Sequence, residues 1–483
     1  MRIGRAITAT DRAVTARVAA TDSFVLDHVM PALSVAANNS RLWLAIAAGL
    51  AVTGGKAPRR AALRGVAGIA IGSLAANQVG KRLTRRLRPT EEVAIGRRLV
   101  RMPRSTSFPS GHATSAAAFA TAVALEVPAL AVPVGVLAAA VGASRVVTGA
   151  HYPSDVLAGF ALGSTAGLVT LRWWPLRPAT PAAAARPRRE APAAPTGAGL
   201  TLVVNSQSGT ASADLTDYLR DSLPDARLVI ADQGDDLDKL FVQAAAEARI
   251  LGVAGGDGSV RAAVQAAISA RLPLLVVPAG TFNHFAAELG VGSREDAVAA
   301  VRAGDSVLVD VAVADDDVFV NTASVGVYTE LVKAREELED KLGKWPAVLV
   351  ALLRVLRQGR PVEIMVDGKA RLLWLLFVGS GRYEPKGAAP TYRPDLADGE
   401  LDVRVIDGSH PLARTRLVAA MVLGTLGRSR VHRAWTATSL RIAAADGQPL
   451  ELSLDGEPTR FGHDVQISKL AAALLVYRPR ADS

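Results

Sequence analysis

The sequence predicts a multidomain chain, an all-α polytopic membrane helical bundle followed by a soluble unit of two lobes, one α/β and one mainly antiparallel β. Three observations predict it. Five long apolar stretches precede residue 172, a stretch rich in Pro, Ala and Arg interrupts the chain at 173–198, and short β-rich runs alternate with amphipathic segments after it.

The charges are divided in the same way. Residues 1–180 hold 21 Lys and Arg against 7 Asp and Glu, and the remainder holds 34 against 38, so the net charge of +10 resides in the first part. A basic and strongly apolar segment fits a membrane surface or phosphorylated ligands rather than a nucleic-acid reader, and no nucleic-acid motif is present. The absence of cysteine excludes disulfide frameworks, thiolate metal sites and cysteine nucleophiles.

Residues 1–40 read as an amphipathic or marginally membrane-spanning segment. Asp11, Asp22, Asp27 and His28 interrupt it, so no secretory signal is expected there. The domain at 41–172 carries the apolar stretches Leu42 to Gly54, Ala61 to Gly80, His112 to Pro128, Leu130 to Val147 and Asp155 to Leu171. Most approach the roughly 20 residues that cross a bilayer, and their Ala and Gly content suits close helix packing there. A water-soluble helical bundle is the alternative, but successive runs with so little internal charge are uncommon in one. Trp173 and Trp174 would mark the membrane interface, and 173–198 reads as a semi-extended linker.

The α/β lobe is expected over 199–306, from the runs LTLVV, RLVIA, ILGVA and LLVV, as a parallel sheet. Denser strand signals assign 307–478 to the antiparallel lobe. The apolar helix from Trp345 to Leu356 reads as a core helix, with membrane docking as the alternative.

In the first domain, Lys81 and Arg88-Pro89 follow the second apolar run, Pro109-Ser110-Gly111-His112 opens the third, Ser144-Arg145 closes the fourth, and His151 and Asp155 open the fifth. In an up-and-down bundle those ends share one face. Hydrolysis of a phosphomonoester needs cations and N–H donors around the phosphoryl oxygens, a nucleophile, and an acid for the leaving alcohol. Lys81, Arg88 and Arg145 can neutralise the phosphoryl group, and Ser110 with the Gly111 N–H adds donors at a helix start. His151 is the candidate nucleophile, oriented by Asp155, and His112 the candidate general acid. The set needs no metal.

Lys-x6-Arg-Pro, Pro-Ser-Gly-His and Ser-Arg-x5-His-x3-Asp, in that order over residues 40–172, resemble the type 2 phosphatidic acid phosphatase family. The resemblance implies a phosphohistidine intermediate and a lipid phosphate or pyrophosphate substrate. Phosphatidate, phosphatidylglycerol phosphate and polyprenyl diphosphate all remain open.

In the second half, Asn205-Ser206-Gln207-Ser208-Gly209 follows the first strand, Gly255-Gly256-Asp257-Gly258-Ser259 the third, and Pro278-Ala279-Gly280-Thr281-Phe282-Asn283 the fourth. Ligands bind at that edge of an open α/β sheet, where glycine lets backbone N–H groups close on phosphates. No Walker lysine loop and no Gly-x-Gly-x-x-Gly is present. The set is similar to the diacylglycerol and sphingolipid kinase family over about residues 199–478. That similarity implies ATP binding by these loops, Mg²⁺ with the triphosphate, a structural metal at Asp395, Asp398 and Glu400, and Asp455 or Glu457 as the base for the lipid hydroxyl. His284 stands where many members have Asp, and Ser259 where Thr is usual.

Together these readings describe a bifunctional lipid enzyme of the cell membrane, multi-pass, with its phosphatase site outside and its ATP-using site in the cytoplasm. Its partners would be ATP and membrane lipids such as phosphatidate, diacylglycerol or polyprenyl phosphates. The alternative is a polyprenyl diphosphate phosphatase joined to an inactive or regulatory lipid-binding module.

Overall fold

The computed structural model describes residues 2–84, 86–89, 106–176, 178, 180–187, 190–208, 213–280, 283–326, 350, 354, 359–385, 391–445 and 447–480. The chain divides into two compact units, Met1–Leu176 and Arg177–Ser483.

The first unit is helical: α1 (Arg2–Ala19), α2 (Met30–Ala36), α3 (Arg41–Thr53), α4 (Lys56–Leu74), the short α5 (Lys81–Leu83), α6 (Gly111–Glu126), α7 (Ala131–Val147) and α8 (Pro153–Val169). Helices fill each of the five apolar stretches. Their breaks follow local chemistry: Gly54 and Gly55 separate α3 from α4, and Pro153 opens α8, where its missing N–H costs nothing. Ser110 caps α6, its Oγ accepting from the Ala113 N–H at 3.4 Å.

The helix-to-helix contacts explain the small residues. A Cβ at Gly159, Gly163 or Gly167 would come within 2.6 Å of the Ser110 carbonyl, 2.2 Å of the Thr114 carbonyl or 2.9 Å of Thr121 Cβ. This stripe of three glycines, spaced four residues apart, lets α8 lie directly on the backbone of α6. A core of Trp43, Phe119, Val123, Val134 and Val141 with several alanines fills the rest.

Five membrane spans were expected, and among the described residues two helices, Pro128–Val147 and Pro153–Arg172, are long and apolar enough to cross a bilayer. The others fall short for physical reasons. Helix α3 has 13 residues and α6 has 16, while α4 begins with Lys56, Arg59, Arg60 and Arg64.

In the second unit, β1 (Leu200–Asn205), β2 (Arg227–Ala231), β3 (Ile250–Gly255) and β4 (Leu274–Pro278) form a parallel sheet in the order β4-β3-β1-β2. The runs of β1, β3 and β4 are buried almost throughout, while the edge strand β2 is buried only at Ala231, and the sheet is covered by α9 (Ala213–Ser222), α10 (Leu237–Glu247), α11 (Asp257–Ala270), α12 (His284–Leu289) and α13 (Arg294–Ala303).

The antiparallel lobe contains β5 (Ser306–Ala314), β6 (Asp317–Phe319), β7 (Thr322–Gly326), β8 (Val362–Val366), β9 (Lys369–Gly379), β10 (Leu401–Asp407), α14 (Ala413–Val422), β11 (His432–Ala437), β12 (Ser439–Ala444), β13 (Glu451–Leu454), β14 (Glu457–Arg460) and β15 (Asp464–Tyr477). Strand β15 joins the lobes. It pairs with β5 and β12 antiparallel and meets β4 in parallel at Val476 and Leu274.

The Pro/Ala-rich stretch before β1 is extended and lies along the second unit. Ala182 donates to the Glu288 carbonyl at 2.9 Å, Ala185 exchanges backbone bonds with Leu308, and Tyr477 Oη donates to the Pro192 carbonyl at 2.7 Å. Apart from Val350 and Arg354, the apolar segment Trp345 to Leu356 lies outside the described residues.

Candidate functional site

The three clusters in the first unit meet around His151. Its Nδ1 lies 2.5 Å from the Ser107 carbonyl oxygen, which can only accept, so Nδ1 carries the proton and Nε2 presents its lone pair. Nε2 is 3.3 Å from Arg88 Nη1. Arg88 is itself held by the Ala150 and Thr106 carbonyls at 2.5 and 3.2 Å. Burial holds the His151 imidazolium down to about 4, against the pull of the Asp155 carboxylate, so the ring is neutral at ordinary pH.

The sequence assigns the orientation of His151 to Asp155, and the structure gives the shorter contact to Ser107. Asp155 Oδ2 is 3.8 Å from Nδ1 and accepts the Tyr152 N–H at 2.9 Å, while Oδ1 accepts from Arg86 Nη1 at 2.7 Å. Its backbone carbonyl takes the Ser110 N–H at 3.0 Å, tying the start of α8 to the start of α6.

Arg145 is fully buried, and although Nη1 donates to Ser34 Oγ, Nε and Nη2 make no hydrogen bond within the protein. Two desolvated guanidinium nitrogens, with three N–H bonds between them and no acceptor, call for an anion. Lys81 belongs to the same place, since a side chain at Gly111 would come within 4.0 Å of its Nζ. His112 Nε2 is 3.0 Å from Asn38 Oδ1. The sequence reading missed Ser107, Asn38, Arg86 and Asp11. Ser107 acts through its backbone, which no side-chain pattern reveals, and Asn38 and Asp11 come from the N-terminal segment, outside the motifs.

In the second unit three loops converge at the C-terminal ends of β1, β3 and β4. Asn205 Nδ2 donates to Ser259 Oγ at 2.8 Å, and Ser208 Oγ accepts the Gly256 N–H at 3.2 Å. A Cβ on Gly280 would lie 2.4 Å from Gly256 Cα, so two glycine-bearing turns touch backbone to backbone. Asn283, at φ +51, folds its amide back on Gly280 with bonds of 2.8 and 2.7 Å. Asp257 Oδ1 accepts the His284 N–H at 2.9 Å. Ser206 instead turns aside, its Oγ donating to the Ala231 carbonyl at 2.8 Å. Gly209 and Thr281 lie outside the described residues.

The two candidate bases differ sharply. Asp455 and Gly456, at φ +49 and +95, make the two-residue turn between β13 and β14. The Asp455 carboxylate accepts the N–H groups of Val320, Asn321 and Thr322, each at 2.8 Å, and burial pushes its acid up to about 6. Glu457, half exposed, leans over the loop: a Cβ on Gly258 would lie 2.6 Å from its Oε1, and Arg261 Nη2 donates to its Oε2 at 3.2 Å.

The expected metal ligands do not gather into a cage. Asp395 Oδ1 accepts the Ala397 N–H, the two oxygens of Asp398 accept the N–H groups of Glu400 and Arg382, and Glu400 pairs with the Arg382 guanidinium. Among the described residues no three His, Asp or Glu side chains are placed to hold a metal ion. These residues therefore do not fit a bound metal, and no chemical step is assigned to one.

A family model of the PAP2 superfamily matches residues 62–179, and one of the diacylglycerol kinase catalytic domain matches residues 199–314. The chain is similar to a diacylglycerol kinase of Bacillus subtilis, 29% identical over 218 residues, which cover 42% of this chain and 69% of that protein. It is also similar to the decaprenylphosphoryl-5-phosphoribose phosphatase of Mycobacterium tuberculosis, 42% identical over 90 residues, 18% of this chain and 48% of that protein. Among solved structures, a diacylglycerol kinase from Bacillus anthracis str. Sterne aligns over 58% of this chain and 96% of its own, with 20% identity and a TM-score of 0.41. The chain thus joins a PAP2 superfamily domain to a diacylglycerol kinase catalytic domain.

Proposed function

We propose that the protein is a bifunctional membrane enzyme that hydrolyses a lipid phosphate in its first unit and phosphorylates a lipid hydroxyl with ATP in its second. The observation that carries the phosphatase reading is the buried Arg145, with two N–H-bearing nitrogens unsatisfied, together with a neutral histidine whose unprotonated Nε2 lies 3.3 Å from Arg88 Nη1.

In this reading the phosphoryl oxygens lie against Arg145, Arg88, Lys81 and the N-terminus of α6. His151 Nε2 attacks phosphorus, the bond from phosphorus to the lipid oxygen breaks, and His112 gives the leaving oxygen its proton. Water then attacks the phosphohistidine, returning a proton to His112 and releasing inorganic phosphate. Outward-facing Val52, Leu63, Leu74, Val132, Val136 and Leu157 support a lipid-embedded bundle with more than two spans, since a soluble helix would present polar residues there.

In the second unit ATP, taken as its Mg²⁺ complex, would bind where Gly255 to Ser259 meets Gly280 and Asn283. Glu457 would accept the lipid hydroxyl proton as that oxygen attacks the γ-phosphorus and ADP leaves. Asp455 suits a structural part better, because its carboxylate already accepts three backbone N–H groups. Phosphatidate and diacylglycerol are the proposed substrates. A prenyl-linked phosphate is the second reading, favoured by the likeness of 90 residues to a decaprenyl-linked phosphatase.

The test is a panel of acyl and prenyl lipid phosphates, with diacylglycerol and ATP in parallel, given to the intact protein. Phosphate release abolished by His151→Ala, together with ATP-dependent lipid phosphorylation that survives that change, supports both activities. Phosphorylation absent for every lipid would leave the second unit as a lipid-binding module.

A further inference from the structure

Helix α1 lies outside residues 62–179, which match the phosphatase family model, yet it reaches the nucleophile loop. Asp11 on α1 is buried, with 2% of its surface exposed. Its Oδ1 accepts the Ser154 N–H at 2.9 Å, in the first turn of α8, and its Oδ2 accepts from Ser154 Oγ at 2.6 Å and Arg86 Nη2 at 2.5 Å. One carboxylate therefore caps a helix from a distance and also holds a guanidinium.

Arg86 carries that contact inward. Its Nη1 donates to Asp155 Oδ1 and Ser154 Oγ, both at 2.7 Å, and its guanidinium stacks 4.4 Å from the centre of the Tyr152 ring. Its own carbonyl accepts the Ser107 N–H at 3.0 Å, and the Ser107 carbonyl is the group that fixes the His151 tautomer. Asp11, Arg86, Ser107 and His151 form one continuous chain of hydrogen bonds.

We propose that Asp11 is a positioning residue for phosphoryl transfer, acting through Arg86 and Ser107 to aim His151 Nε2 at the phosphorus. The proposal rests on the phosphatase reading above and adds the N-terminal helix to the machinery. Asp11 touches neither the substrate nor Arg145, Arg88 or Lys81 through any of these bonds, so it governs the reactive geometry rather than phosphate binding. Asparagine at position 11 keeps the shape and one acceptor oxygen but loses the charge that holds Arg86.

The experiment measures kcat and KM for a lipid phosphate with the full chain in lipid nanodiscs. Asp11→Asn is expected to lower kcat by between about tenfold and a hundredfold, the range that follows from misplacing a reacting group, with KM within about twofold. Arg86→Met should act similarly, and the double variant should be no worse than Arg86→Met alone, because both break the same connection. Asp11→Glu, which keeps the charge, should recover most of the lost kcat and guards against a simple folding failure. Wild-type kcat in Asp11→Asn overturns the proposal. Equal losses in kcat and in the folded fraction, without rescue by glutamate, overturn it too and make Asp11 a plain anchor of α1. If His151→Ala keeps turnover, the phosphatase reading falls first and the proposal with it. A dead His151→Ala beside a normal Asp11→Asn removes the proposal alone.

Discussion

His151 donates its Nδ1 proton to the carbonyl oxygen of Ser107 across 2.5 Å. A backbone carbonyl cannot donate in return, so this bond decides which imidazole nitrogen is nucleophilic. Replacing His151 by Ala should therefore lower phosphate release by more than about a thousandfold, as loss of a nucleophile does elsewhere. Retention of more than about a tenth of the rate, a difference of only 1.4 kcal/mol, would exclude this histidine from the chemistry.

The same histidine predicts a pH profile. Burial lowers its folded pKa from 6.5 to about 4, with Arg88 and Arg145 opposing protonation and Asp155 favouring it. The nucleophile stays neutral as the solution is acidified, so the acid limb of single-turnover phosphohistidine formation should lie near pH 4 rather than 6.5. Stability has the opposite sense to a paired histidine. Below pH 6.5 the unfolded chain takes up a proton that the folded site refuses until about 4, so this group makes folding less favourable across that window as pH falls. Rate profiles from pH 3.5 to 8 would check the limb.

Asp455 and Glu457 can be separated by mutation. Glu457→Gln should stop ATP-dependent lipid phosphorylation while leaving the melting transition unchanged, because Glu457 is half exposed and its ion pair among the described residues is with Arg261 at the surface of the loop. Asp455→Asn should instead destabilise the second unit by about 1–3 kcal/mol, since an amide NH₂ would face one of the N–H groups that the carboxylate now accepts. A stable but inactive Asp455→Asn would return the base to Asp455. Thermal unfolding and lipid phosphorylation measured on the same samples distinguish these outcomes.

Both site assignments were legible in the sequence to the extent that side chains at fixed spacing carried them. The spacing of Lys81, Arg88, His112, Arg145, His151 and Asp155 relative to the helix ends anticipated one cluster, because helix ends in a bundle must share a face. The glycine turns after β1, β3 and β4 were readable for a similar reason, since parallel strands present their C-terminal ends together. Contacts made through the backbone between residues distant in sequence left no periodic trace. The hold of Ser107 on His151, the capture of Asp455 by Val320, Asn321 and Thr322, and the packing of Ala182 and Ala185 on the second unit all belong to this class.

Arg393 and Glu288 form a buried ion pair inside the second unit. Arg393 is 1% exposed and donates through Nε and Nη2 to Glu288 Oε2, and through Nη1 to the Val320 and Ser380 carbonyls at 2.7 and 2.6 Å. Glu288 lies on α12 beside the parallel sheet, whereas Val320 and Ser380 belong to the antiparallel lobe, so one guanidinium fastens the two lobes. Arg393→Met should cost about 3–5 kcal/mol, because it strands a buried carboxylate and two carbonyls. A change below about 1 kcal/mol in denaturant unfolding of the second unit would mean that water reaches the pair.

The orientation of the two activities across a bilayer gives the last prediction. With ATP as phosphoryl donor the second unit would be cytoplasmic, and the one expected span between it and the His151 loop, or the three between it and the Arg88 loop, would put both loops outside. In that arrangement the short basic segment from Lys56 to Arg64 faces the cytoplasm, as the positive-inside tendency favours. The structure weakens it, because Arg60 and Arg64 pair with Glu126 at 2.9 and 2.6 Å and stack on Trp174, so two of those charges serve packing. Against the arrangement stands the segment from Lys81 to Arg104, which is more basic still, and the proposed phosphate ligands Lys81 and Arg88 account for only two of its charges. The chain has no cysteine, so single cysteines at Thr106 and Thr196 can be labelled with an impermeant thiol reagent on intact cells. Position 106 should react on intact cells and position 196 only after lysis. Labelling of 196 but not 106 would overturn the arrangement, with the second unit then outside and the Arg88 and His151 loops inside.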